Sequence, residues 1–285
     1  MPARHPERIV CLTEETTETL YLLGEERRIV GISGYTVRPP RARREKPRVS
    51  AFTSAKIDRI VALRPDLVLA FSDLQADIAA ALARAGLDVH LFNQRGIAGI
   101  LRMVRMLGGM IGCDGAAAAL ADRLEAHVAA VRAQAASLPR RPRVYFEEWD
   151  EPMIAGIRWV GELIEAAGGD NCFADLAAQP LGRDRIIADP AEVLRRAPEL
   201  ILGSWCGKKF RPAAVAARPG WAAIPAVRDG ELHEIKSAII LQPGPAALTD
   251  GLDAIHAIVR RWAGRGGVSP SAGARLRGTS PPSSR

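Results

Sequence analysis

The chain has 285 residues, enough for one large domain or two smaller ones, and its 48% hydrophobic and 25% charged residues are ordinary for a globular fold. No apolar run approaches the roughly 18 residues of a membrane span. The net charge of +7 is concentrated in one loop, 36–48, and one tail, 265–285, rather than spread along a face among aromatics, which argues against nucleic-acid binding.

Residues 8–12 form a short buried strand in this reading, and Thr13-Glu14-Glu15-Thr16 opens a helix that runs to Leu23 and stops at Gly24. A second strand, 28–32, leads into a loop, 33–47, that carries Pro39-Pro40 and an arginine cluster. Then come a helix over 54–63, a strand over 67–71, a helix over 76–85 closed by Gly86, and a strand over 88–92. The helix over 99–111 is expected to turn Met103, Met106, Leu107 and Met110 toward the core. Alanine-rich residues 114–138 form the longest helix, spanning about 36 Å, with Asp114 as its N-cap and Pro139 and Pro142 beyond its end. Leu120, Leu124, Val128, Val131, Ala135 and Leu138 make its apolar stripe. A strand over 143–147, helices over 160–167 and 191–197, strands over 200–203 and 231–235, and a closing helix over 250–262 follow. Alternating strands and helices are the pattern of βα units on a mainly parallel sheet.

The second half repeats the first. Residues 60–69, Ile-Val-Ala-Leu-Arg-Pro-Asp-Leu-Val-Leu, parallel residues 193–202, Val-Leu-Arg-Arg-Ala-Pro-Glu-Leu-Ile-Leu. Each is a helix end, a Pro-acid turn and an aliphatic strand. The expected organisation is an N-terminal α/β lobe over 1–113, a linking helix over 114–138, a C-terminal α/β lobe over 139–263 and a disordered tail over 264–285. Ligands of open α/β sheets bind beyond the carboxyl ends of the strands, so two facing lobes create a cleft.

Several stretches resemble one known family in both order and spacing. They are Glu18-Thr19-Leu20 with Leu23-Gly24; residues 30–35, Val-Gly-Ile-Ser-Gly-Tyr, ahead of Pro39-Pro40; and residues 57–68. In the second half they are residues 163–171, Leu-Ile-Glu-Ala-Ala-Gly-Gly-Asp-Asn, Pro219-Gly220-Trp221, and residues 225–230. Together they resemble the substrate-binding proteins of cobalamin and iron–siderophore ABC importers. The resemblance implies two similar α/β lobes joined by one rigid helix, a ligand cleft between them, and binding without catalysis. It also implies a corrinoid or iron chelate as ligand with no covalent cofactor, a monomer, and a partner permease and ATPase.

In that family the corrin lies between aromatic side chains from both lobes. Tyr35, Phe52, Phe71 and Trp149 fall at strand ends here, with Trp159 and Trp205 nearby, and Glu148 sits in a carboxylate-rich run, Glu147-Glu148-Trp149-Asp150. Arg38 and Arg185 stand where cobalamin binders carry aromatics. Importer-docking members present one surface acid on each lobe. Asp58 matches the first position; the second is Ala191, with Glu192 one residue later and so turned by about 100°.

The scattered Cys11, Cys113, Cys172 and Cys206 form no CxxC pair and are expected as free thiols, and the five histidines are not arranged as metal ligands. Residues 203–209, Gly-Ser-Trp-Cys-Gly-Lys-Lys, resemble a phosphate loop, but the spacing is one short and no Ser or Thr follows the lysine. Cys206 as a nucleophile is the weaker alternative to a strand-end cysteine at the cleft. The N-terminus enters a strand without a signal-peptide pattern, so the chain as written is expected in the cytoplasm, whereas the family implies the periplasm. A cytosolic relative that hands over a cofactor or metal complex without a permease is the runner-up function, and an enzyme using the cleft is third.

Overall fold

A computed structural model describes residues 4–265. The first lobe is built from β1 (Ile9–Cys11), α1 (Glu14–Leu22), β2 (Ile29–Ser33), α2 (Ala42–Glu45) and β3 (Arg48–Ser50), followed by α3 (Ile57–Ala62), β4 (Leu67–Phe71), α4 (Ala76–Arg84) and β5 (Val89–Phe92). The sheet order is β3-β2-β1-β4-β5 and every pair is parallel. A parallel sheet covered on both faces needs unbroken apolar strands, and Leu-Val-Leu-Ala-Phe of β4 is buried at all five positions. The period of two sorts these residues. Ile9, Cys11, Leu69 and Phe71 face one core, while Val10, Leu12, Val68 and Ala70 meet Ile60, Ile78 and Leu82 of α3 and α4 on the other face.

Two helices carry the chain onward. α5 (Ile97–Ile111) is capped by Gly112, whose left-handed φ of 75° reverses the direction, and only Gly112 and Cys113 separate it from α6 (Asp114–Ala136). Asp114 is therefore the first helical residue and Cys113 the N-cap, which corrects the expected cap: the turn is one residue tighter than the sequence implied. Leu120, Leu124, Val128, Val131 and Ala135 of the stripe are buried, joined by Ala117 and Ala121, and Leu138 lies past the helix end, partly buried. Met106 of α5 is exposed, contrary to expectation, because the buried face runs through Ile100, Met103, Val104 and Leu107.

The second lobe contains β6 (Arg143–Asp150), β7 (Met153–Ala155), α7 (Arg158–Ala166), β8 (Asp170–Asn171), α8 (Ala174–Ala177), α9 (Ala191–Arg196) and β9 (Leu200–Gly203). It continues with α10 (Pro212–Ala216), α11 (Pro225–Arg228), β10 (Leu232–Glu234), α12 (Ser237–Ile240) and, after a π turn at Ala247–Gly251, α13 (Leu252–Arg265). Its sheet runs β10-β9-β6-β7; β7 is antiparallel, and β8 pairs with the start of β6. α6 packs along α5 and also touches α7 and α13, so one apolar core passes through both lobes. The sequence tail from residue 266 onward lies outside the described residues.

The sequence repeat has a structural counterpart. Asp66 accepts hydrogen bonds from the amides of Glu7 and Arg8 ahead of β1, and Glu199 accepts one from the amide of Arg143 at the start of β6. Arg8 Nε in turn donates to the carbonyl of Arg64, and Arg143 Nε to that of Ala197, each at 3.0 Å. Arg64 and Ala197 both adopt left-handed backbone, at φ 47° and 43°, just before the Pro-acid pair. The Pro-acid turn of each lobe thus clamps the start of that lobe's first strand.

Candidate ligand site between the lobes

The order of the first sheet reverses between β1 and β4, and the crevice beyond such a switch point is where open α/β sheets take ligands. The chain leaves β1 as Leu12-Thr13-Glu14-Glu15 and β4 as Phe71-Ser72. Gln75 ties the exits together: its Oε1 accepts from the amide of Phe71 at 2.9 Å, and its Nε2 donates to the carbonyl of Phe52 at 2.8 Å. Phe52 is thereby fixed half-buried beside the crevice. The guanidinium of Arg95, just past β5, lies 5.0 Å from the centre of the Phe71 ring and pairs with Asp73.

The acids that open α1 do not face solvent. Glu15 is 1% exposed and accepts from the Thr13 hydroxyl at 2.6 Å; burial, aided by the charges of Glu14 and Glu18, raises its carboxyl to about 8. Burial also raises Glu14, against a hydrogen bond from the Gln242 side chain. The segment 242–246 covers both acids. Gly244 is required there, because a Cβ at that position would lie 2.5 Å from that of Glu15. The amide of Ala246 donates to Glu18, and Gln94 Nε2 donates to the carbonyl of Pro243.

On the second lobe, β6 carries its acids out of the sheet. Glu147 is fully buried and accepts from Tyr145, from Trp205 Nε1 at 2.9 Å and from both terminal nitrogens of Arg218. Glu148 is held by buried Arg185 through two contacts of 2.6 and 3.0 Å. Trp149 is half-buried, with Lys208 Nζ 4.3 Å from its ring and 2.5 Å from Asp150. The carboxylate-rich run is therefore largely neutralised by its own arginines and lysine.

Two electrostatic couplings cross the seam. Burial raises the thiol of Cys206, and it is raised further by Glu148 of its own lobe and Glu14 of the other. Burial lowers Arg95, Asp73 raises it, and Arg185 across the seam lowers it again. Hydrogen bonds from Gln94 to the carbonyl of Pro243 and from the amide of Ala246 to Glu18 bring the strand-end segments of the two lobes together.

The seven ligand-facing candidates divide by exposure. Tyr35, Phe52, Glu148 and Trp149 reach the surface, and Tyr35 is the most open at 54%. Phe71, Trp159 and Trp205 are buried. Trp159 Nε1 donates to the carbonyl of Ile240 at 2.8 Å and joins α7 to α12. Gln75, Arg95 and Gln242 line the same region and went unnoticed in the sequence. The first two follow strand ends directly, so their position beyond β4 and β5 was the available signal. Asp58 stands exposed in the first turn of α3. Glu192, in the first turn of α9, is bound by Arg195 and Arg196. All four cysteines are free thiols, and among the described residues no three of His, Cys, Asp and Glu converge to hold a metal ion.

Two α/β lobes whose strand-end segments meet, joined through a long helix, define a two-lobed binding protein. A family model described as periplasmic binding protein matches residues 9–239, and the chain belongs to that family. A cobalamin-binding protein of Halobacterium salinarum is 32% identical over 177 residues, 60% of this chain and 47% of its own length, so the chain spans about half of that relative. A vitamin B12-binding protein of Vibrio parahaemolyticus is 25% identical over 85% of this chain and 86% of its own. Among solved structures, the apo periplasmic heme-binding protein of a Roseiflexus species superposes with a TM-score of 0.75 at 25% identity, covering 89% of this chain and 99% of that one. The periplasmic vitamin B12-binding protein of Vibrio cholerae has the same fold, with a TM-score of 0.72 at 23% identity over 90% of this chain and 98% of its own. These relatives are named for what they bind and not for a reaction.

Proposed function

We propose that this chain captures a large, flat chelate, a corrinoid such as cobalamin or an iron-bearing macrocycle or siderophore, in the seam between its lobes and delivers it to an ABC-type importer. The observation that carries the reading is the meeting of strand-end segments from both lobes, where Gln94, just past β5, donates to the carbonyl of Pro243 and the amide of Ala246 donates to Glu18. Tyr35, Phe52 and Trp149 would form the walls, with Phe71, Trp159 and Trp205 behind them. The names of the relatives support a tetrapyrrole-like ligand. Asp58 has the exposure needed to meet a permease arginine. Glu192 is already satisfied by arginines of its own helix, which favours the second reading, handover of a bound cofactor without a permease. Mass spectrometry of whatever co-purifies, followed by a thermal-shift screen of cobalamin, heme and ferric siderophores, tests the proposal. A saturable rise in melting temperature with one of these classes supports it, and no response to any of them contradicts it.

A further inference from the structure

Segment 242–246, Gln-Pro-Gly-Pro-Ala, arches from the end of α12 to the π turn at Ala247–Gly251 and lies across the first turns of α1 in the other lobe. Its two feet belong to the second lobe. Trp159 Nε1 holds the carbonyl of Ile240 beside one foot. At the other, the Thr249 hydroxyl donates to the carbonyl of Pro245, and a Cβ on Gly251 would collide with the carbonyl oxygen of Ile239, so the π turn is folded against α12. The crown of the arch is held by the first lobe. Gln242 bonds the Glu14 carboxyl, the Ala246 amide donates to Glu18 at 3.1 Å, and Gln94 Nε2 donates to the carbonyl of Pro243 at 3.0 Å. With both feet anchored on its own lobe, the arch can lift from α1 while the lobes stay where the shared core holds them.

The charges beneath the arch do not balance. Glu14, Glu15 and Glu18 are all buried, and the single guanidinium of Arg38 is shared between Glu18 and the half-exposed Asp250, at 2.8 Å from each. Among the described residues no cation pairs with Glu14 or Glu15. The other groups facing them bring no compensating charge. Thr13 offers Glu15 a hydroxyl, and the thiols of Cys11 on β1, which burial pushes up to about 12, and of Cys206 in the second lobe, also raised by burial, are neutral. Lys46, the cation that acts on Cys11, is engaged by Glu45 and Glu26. Ionising Glu14 and Glu15 together would put two neighbouring negative charges under a sealed cover with no counter-charge.

We infer that the arch is a proton-dependent latch: it closes on α1 while Glu14 and Glu15 hold their protons and lifts when they ionise, uncovering the floor of the seam. Lifting returns the carboxyls to water, where they ionise near pH 4.5, so closing takes up protons. Burial raises both in the closed form, Glu15 to about 8. Closure is therefore fully favoured below pH 4.5 and weakens as pH rises, by up to about tenfold per pH unit for each carboxyl, until Glu15 ionises in place near pH 8.

Amide hydrogen exchange of the ligand-free chain at pH 6 and pH 8, expressed as protection relative to the intrinsic rate at each pH, tests this. The reporters are Ala246, whose amide the latch engages, and Val68 of β4, whose amide donates to the carbonyl of Asp88 in the core sheet. Ala246 should be less protected than Val68 at both values, and its protection should fall by at least about tenfold from pH 6 to pH 8. The fall should shrink in Glu15→Gln and vanish in the double variant Glu14→Gln/Glu15→Gln. In Gly244→Ala the added methyl meets Glu15 and keeps the arch off α1, so Ala246 should be weakly protected at both pH values while Val68 stays protected. Equal protection of Ala246 and Val68 would mean that the arch opens only with the whole fold and would overturn the latch. So would protection of Ala246 that is unchanged between the two pH values, or a fall in the double variant as large as in wild type. No ligand enters the measurement, so either outcome leaves the functional reading standing.

Discussion

Glu15 departs from what its residue type leads one to expect. An acid in the first turn of a helix is normally a solvated partner of the helix dipole. Here segment 242–246 seals it in, and burial outweighs the Thr13 hydrogen bond, so the carboxyl holds its proton up to about pH 8. The native state thus binds a proton that the unfolded chain releases near pH 4.5. Its contribution to stability is complete below that pH and is lost as pH rises toward 8, with a slope of at most about 1.4 kcal/mol per pH unit. Glu15→Gln, which keeps the shape and cannot ionise, should flatten that part of the profile. Urea unfolding at pH 5, 6.5 and 8 checks this; an unchanged slope in the variant would show that Glu15 is ionised in the folded protein. The sequence displayed both acids but not their cover, because Gly244 lies 229 positions away and nothing local announces the contact. The same holds for Glu148, whose run reads as a carboxylate patch until Arg185 is found clasping it. Strand-end aromatics were legible as types. Which of them would be open was not, since a buried indole such as Trp205 depends on an acceptor as distant as Glu147.

At the scale of elements, legibility followed pattern length. β4 and β9 begin and end where the sequence places them, each an aliphatic run after a Pro-acid turn. β3, β7 and β8 were not anticipated: at two or three residues they show no period, and they exist only because a neighbouring strand offers its edge. The helix expected over 54–63 shortens to Ile57–Ala62, because Ser50 and Ala55 form a bridge that holds the preceding residues extended. The contact between α5 and α6 depends on one residue that composition does not flag. A Cβ on Gly108 would fall 2.1 Å from the Cβ of Ala117, so the helices meet at a distance only glycine permits. Gly108→Ala should cost about 1–3 kcal/mol despite alanine's better helix propensity, as overpacking forces the pair apart. Chemical denaturation measures this, and a stabilised variant would mean that the helices separate freely.

The whole molecule is held by more than its linking helix. Arg38 pairs with Glu18 at 2.8 Å and with Asp250 at 2.8 Å, and Glu162 of α7 accepts from the amide of Ile97 at the start of α5. Together with the continuous core through α5, α6, α7 and α13, these ties resist the swing expected of lobes on loop hinges. Small-angle scattering with saturating ligand should therefore show the radius of gyration changing by less than about 1 Å. A fall of several ångströms would reveal a hinge the fold does not display. The two-lobe plan was legible from the internal repeat, whose Pro65-Asp66 and Pro198-Glu199 turns do the same work in each lobe. The shared core was not, since periodicity assigns each helix a buried face but not the neighbour that covers it.

The central claim is that the seam recognises a flat ligand through aromatic surface. Losing one such ring should cost about 1–3 kcal/mol, roughly ten- to a hundredfold in Kd, with little salt dependence. Arg41, Arg43 and Arg44 are exposed on the 36–48 loop, and each should contribute less than about 1 kcal/mol, fading as salt rises. Titration calorimetry of Phe52→Ala, Trp149→Ala and the triple arginine-to-alanine variant, at two salt concentrations and with the co-purifying ligand, compares the two directly. The account predicts a large, salt-insensitive loss in both aromatic variants and near wild-type binding in the triple. A larger loss in the triple, shrinking at high salt, would contradict it and move recognition from the seam to the loop.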